Sequence, residues 1–178
     1  MKTIRLTTNA MMAAMCAVLG YVALDLGNLK ITFESLPVLL AALMFGPVDG
    51  MLVGGIGTLI YQLMRYGVSA TTALWILPYI VCGLFAGAVA KAAKFNNTKR
   101  QLLITVLAAE LIIMALNTVA IYADSKIYGY YSFAFVFGSL LIRLVIAVAK
   151  GVAFGYLVPV ILRYMSRYTL NGQGRIWR

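Results

Sequence analysis

The sequence predicts an all-α integral membrane protein, a single six-transmembrane-helix bundle, from three observations. Of 178 residues, 63% are hydrophobic and only 11% charged. Mean hydropathy is +0.93, far above that of soluble domains. The apolar residues also fall into runs separated by short connections. At about 20 residues per span, the length holds roughly six spans and leaves no room for a separate soluble domain. The expected spans are 9–26, 34–45, 49–65, 73–91, 101–124 and 132–164, followed by a mobile cytoplasmic tail over 168–178.

The first span begins behind Lys2 and Arg5 and so imitates a signal peptide. No small-residue cleavage site follows, and the segment is expected to be retained. An extended, alternating stretch, KITFE, leads to the second span, where Pro37 suits a first helical turn because its missing N–H bonds to nothing there. The apolar run from Leu36 to Phe45 stops at Gly46-Pro47, too short to cross a hydrocarbon core of about 30 Å unaided. Val48-Asp49-Gly50 is expected to form a tight turn, followed by a glycine-rich third helix through Gly54, Gly55 and Gly57. Membrane proteins build binding sites beside such abbreviated helices. The sixth span is longer than a bilayer requires, so its end is expected to emerge as an exposed helix.

Charge sets the expected orientation. Six spans place both termini on one side, together with Lys91, Lys94, Lys99 and Arg100, whereas only Lys30, Arg65 and Lys126 fall in the opposite loops. Both termini are therefore expected in the cytoplasm of a multi-pass cell-membrane protein. The net charge of +10 does not suggest nucleic acid, because the basic residues sit between apolar runs rather than on a soluble face.

Several functions lack their chemistry. The chain has no histidine, its two cysteines lie in apolar runs, and its five carboxylates form no metal-binding set. Neither a cofactor nor a metal is expected. No GxxxxGK[ST] loop is present for ATP, and no serine or cysteine has a histidine to activate it, so a membrane enzyme is the weaker hypothesis.

Polar residues inside the spans mark a candidate site. Glu110, Asn117 and Asp124 recur every seven residues on the fifth span, and Arg143 and Lys150 do so on the sixth. Packed as a hairpin, the two spans would form one polar seam, with Glu110 paired to Arg143 or Lys150. In the alternative arrangement, Arg143 and Asn117 face an outer cavity, Arg143 offering a fork to a carboxylate or carbonyl. Lys150, lying deeper, is expected to snorkel to the inner surface. Eight of the eleven tyrosines lie toward the outer side, and Trp75, Tyr79 and Tyr66 are the best candidates to stack on a flat ring. The first span carries alanines on two adjacent stripes with methionines between them, a surface suited to a changing partner.

The runs ITFESLPVLLAALMFGPVDGMLVGGIGTLIYQL and TTALWILPYIVCGLFAG, with that alanine stripe, resemble the substrate-binding S components of energy-coupling factor (ECF) vitamin transporters, the folate family in particular. The resemblance implies a vitamin captured in an extracellular-facing pocket, a membrane T component, and two cytoplasmic ATPase subunits that supply the energy. It implies docking on the T component through Ala10, Ala13, Ala14 and Ala17. For folate, Trp75, Tyr79 and Tyr66 would sandwich the rings, and Glu34, Gln62, Asn117 or Arg143 would pair with the pterin edge. Lys30, Arg65 and Lys126 would be candidates for the tail carboxylates. Another water-soluble vitamin, or a self-sufficient proton-coupled carrier using Glu110 or Asp124, stays open at this point.

Overall fold

A computed structural model describes the backbone of residues 2–26 and 29–169 and the side chains of 3–23 and 31–165. The elements run α1 (Lys2–Tyr21), β1 (Leu24–Leu26), β2 (Leu29–Ile31), α2 (Ser35–Phe45), α3 (Pro47–Tyr66), α4 (Thr72–Ala92), α5 (Lys99–Ile127), α6 (Phe133–Phe137) and α7 (Leu140–Thr169). The fold is thus the expected six-helix bundle, formed by α1 to α5 and α7, with one small hairpin and one extra helical turn.

Helix α2 is the axis. It is apolar around its whole circumference, as a helix buried on all sides must be, and Val38 to Leu43 are at most 2% exposed. Helices α1, α3, α4 and α7 pack around it. Its 11 residues span roughly 16 Å at about 1.5 Å per residue, so it ends well inside the bundle.

Helices α4 and α5, and the segment Phe133–Met165, are each long and apolar enough to cross a membrane. Helices α1 and α3 have 20 residues each, but Arg5, Thr7, Thr8 and Asn9 on one, and Asp49, Gln62, Arg65 and four glycines on the other, lower their hydropathy.

The corner after α2 is tighter than the sequence suggests. Gly46 takes a positive φ of 107°, open to glycine and strained for other residues, and Pro47 begins α3 directly. Val48-Asp49-Gly50 is therefore the first turn of α3 and not a separate turn. A proline in this position loses no helical hydrogen bond. Arg5 closes the corner from α1: its Nε donates to Asp49 Oδ1 at 2.8 Å, and its Nη2 donates to the Phe45 carbonyl at 3.4 Å.

Glycines set the spacing of α3 and α4. A Cβ on Gly83 would collide with the Gly50 backbone, and one on Gly54 would lie 2.6 Å from the Tyr79 carbonyl oxygen. On the other side of the bundle, Gly151 and Gly155 of α7 receive Leu107 and Leu103 of α5.

Two local expectations change. The segment expected to continue span one past Tyr21 instead turns into strand β1, paired antiparallel with β2 in the register Leu24↔Ile31. The expected sixth span is interrupted at Gly138-Ser139, which separates α6 from α7. Of the expected tail, residues 168 and 169 continue α7, and 170–178 lie outside the described residues.

Candidate ligand cavity

A cavity of about 600 Å³ opens at the end of the bundle where α3 and α5 finish and α4 and α7 begin. That end lies away from the start of α1 and from the basic α4–α5 connection. The space exists because α2 starts late: Glu34 and Ser35 stand where a full-length helix would continue.

The polar floor joins three helices. Lys150 Nζ on α7 lies 3.0 Å from Glu110 Oε2 on α5, and Ser35 Oγ donates to Glu110 Oε1 at 2.6 Å. Lys150 also sits 5.7 Å from the Phe154 ring centre. Of the two partners left open for Glu110, the geometry selects Lys150. It therefore does not snorkel to the far surface: a burial this deep is tolerable because a carboxylate faces it.

Above the floor, Glu34 and Tyr79 are both almost fully buried. The Tyr79 hydroxyl lies 3.3 Å from Thr32 Oγ1. A Cβ on Gly20 of α1 would lie 2.7 Å from Glu34 Oε2, so glycine is what lets α1 close over this carboxylate. Gln62, Tyr66 and Trp75 line the same wall, and Asn117 and Arg143 line the opposite one. Tyr61 meets Tyr66 edge-on, with centroids 6.1 Å apart.

Asp124 ties the mouth together. It accepts hydrogen bonds from Thr71, at the start of α4, and from Tyr130, in the α5–α6 connection. The Tyr130 phenol is pushed up to about 12, first by partial burial and then by its bond to Asp124, so it stays a donor at physiological pH. Tyr130 in turn packs edge-on against Phe135, 5.6 Å between centroids.

Seven of the eight ligand candidates thus line one cavity; Arg65 is the one that does not. It donates instead to the Tyr21 carbonyl at 3.2 Å and covers the Tyr66 ring at 5.7 Å. Lys126 lies over Tyr131 at 4.8 Å, outside the lining, and the Lys30 side chain is outside the described residues. Thr32, Ser69, Thr71 and Phe135 also line the cavity, beyond the residues expected from the sequence. The ITF and SATT stretches place hydroxyls at helix starts, a signal too common to mark a site on its own.

The four docking alanines divide. Ala10 and Ala14 are exposed, flanked by Met11 and Met15, whereas Ala13 and Ala17 are buried. The inner stripe serves the bundle itself: a Cβ on Gly57 of α3 would lie 2.6 Å from Cys16 Cβ and 2.9 Å from the Ala13 carbonyl oxygen. Ala13 and Ala17 are therefore packing residues of this chain, not part of an outward face.

A central short helix and a polar and aromatic cavity at one end of a membrane bundle give the chain a candidate small-molecule site. Residues 4–173 match the family described as "ECF transporter, substrate-specific component"; the chain belongs to that family. Among curated proteins none matches it in sequence. Its fold is similar to the S component for biotin from an ECF-type ABC transporter, with a TM-score of 0.68, 17% identity, and coverage of 91% of this chain and 92% of that one. It is also similar to an S component of a bacterial ECF transporter, with a TM-score of 0.59, 19% identity, and coverage of 98% and 100%.

Proposed function

We propose that this chain is the folate-binding S component of an ECF importer, taking the vitamin from outside the cell. The observation that carries the reading is that one cavity joins Trp75, Tyr79 and Tyr66 to Glu34, Gln62, Asn117 and Arg143. Aromatic faces suit a flat pterin and aminobenzoyl unit. A carboxylate such as Glu34 accepts from adjacent ring N–H donors, and the amides can serve both donors and acceptors.

The basic α1 start and α4–α5 connection lie at the opposite end, which supports cytoplasmic termini and an outward-opening cavity. Folate binding is proposed to be energised by a membrane T component and two cytoplasmic ATPase subunits. Docking is assigned to the exposed Ala10–Ala14 stripe of α1, where small side chains allow close helix approach and methionines adapt to a moving partner.

The test is titration of the purified protein in nanodiscs with folate, biotin, riboflavin and thiamine, followed by uptake in liposomes with and without the partner subunits. Folate binding without accumulation, converted to ATP-dependent accumulation by the partners, is expected. Proton-dependent accumulation by the chain alone would establish a secondary carrier instead.

A further inference from the structure

The charged residues lining the cavity are unequally satisfied. Glu110 is held by Ser35 and Lys150, and Asp124 by Thr71 and Tyr130. Arg143 differs: among the described residues its side chain has no ion pair, and its Nη1 is buried without a hydrogen-bond partner. One helical turn earlier, Ser139 Oγ is buried and unpartnered too, and the two residues are linked through Arg143 N–H to the Ser139 carbonyl at 3.0 Å.

Arg143 as a whole is half-buried, but a guanidinium with one nitrogen buried and unpartnered is costly, and the cost falls most when an anion meets it. A neutral carbonyl would fill a hydrogen-bond site and leave the charge uncompensated. A carboxylate does both, and it matches the planar guanidinium fork. Among the rim bases whose side chains are described, Arg65 is committed to Tyr21 and Tyr66 and Lys126 to its own aromatic neighbours.

We infer that Arg143 is the anion anchor of the cavity and that the ligand carries a carboxylate, which Arg143 holds on the α7 wall opposite Glu34. This deepens the proposed vitamin-binding role and rests on it, but it does not require the vitamin to be folate. It also polarises the site: the ligand's anionic end points toward the α6–α7 break and its N–H donor edge toward α2 and α4.

The experiment compares acid and amide forms of two probes, folic acid with its diamide and biotin with biotinamide, on the wild-type protein, Arg143→Gln and Arg143→Lys in nanodiscs. Binding is read by tryptophan quenching. For at least one pair the wild type should prefer the acid by about tenfold or more, as expected for a charge-assisted pair. Arg143→Gln should reduce that ratio to about one while still binding the amide, and Arg143→Lys should keep part of it. Retained amide binding distinguishes a lost anchor from a misfolded variant. An acid-to-amide ratio unchanged in Arg143→Gln, or loss of both forms together, overturns the inference and leaves the vitamin-binding reading standing. Binding of riboflavin or thiamine with neither acid bound has the same result. Failure of every vitamin to bind the wild type overturns both.

Discussion

Glu110 and Lys150 meet across the α5–α7 interface at 3.0 Å, with Ser35 of α2 donating to the same carboxylate at 2.6 Å. The Lys150 and Glu110 side chains are 13% and 2% exposed, so a charge that loses its partner stays mostly buried. Glu110→Gln or Lys150→Met alone is expected to destabilise the protein by about 3–5 kcal/mol. The double variant should recover most of that, since no isolated charge remains. Thermal unfolding of the four proteins in one detergent checks the cycle, and equal additive losses would show that the two residues act independently.

The stacking wall makes a separate prediction. Trp75→Ala should weaken binding of an aromatic vitamin about tenfold, or ~1.4 kcal/mol. Tyr79→Phe, which keeps the ring but removes the hydroxyl that meets Thr32, should have a smaller effect. Titration calorimetry on the ligand found in the panel provides the measurement; unchanged affinity in Trp75→Ala would place the rings elsewhere in the cavity.

On α1, the two alanine stripes should separate in function. Ala10→Leu and Ala14→Leu are expected to leave vitamin binding within about twofold of wild type and to abolish ATP-dependent uptake, because a bulky side chain holds two helices apart. Ala13→Leu and Ala17→Leu should lower the unfolding temperature, since overpacking a full interface costs about 1–3 kcal/mol. Binding, uptake and thermal melts on all four variants decide it.

Asp124 holds two mouth segments through Thr71 and Tyr130. Asp124→Ala should speed both association and release of ligand more than it changes the equilibrium constant, as expected when a restraint on access is removed. Stopped-flow quenching of Trp75 measures both rates. A change in affinity with no change in association rate would indicate a direct ligand contact instead.

Much of this arrangement could be read from spacing. Seven residues nearly complete two helical turns, so Glu110, Asn117 and Asp124 had to share a face, as did Arg143 and Lys150. The choice between Arg143 and Lys150 was not legible. It depends on how far α7 slides along α5, and that is set by the break at Gly138-Ser139 and by Leu103 and Leu107 seating on Gly155 and Gly151. The alanine stripes show a similar limit. Both have the composition of a docking face, and only the position of Gly57 reveals which one α3 covers. Charge alone marks Arg65 and Lys126 as carboxylate candidates, whereas in the fold a backbone carbonyl and aromatic rings engage them.

The brevity of α2 has a further consequence. The chamber is made by subtraction: the chain stops helix-building partway and the surrounding rods do not close the gap. Its depth therefore depends on where Glu34 ends the coil, not on which side chains face inward. Exchanging those side chains can retune the molecule accepted without altering the architecture, whereas adding a turn ahead of Ser35 would fill the room itself and leave nothing to retune.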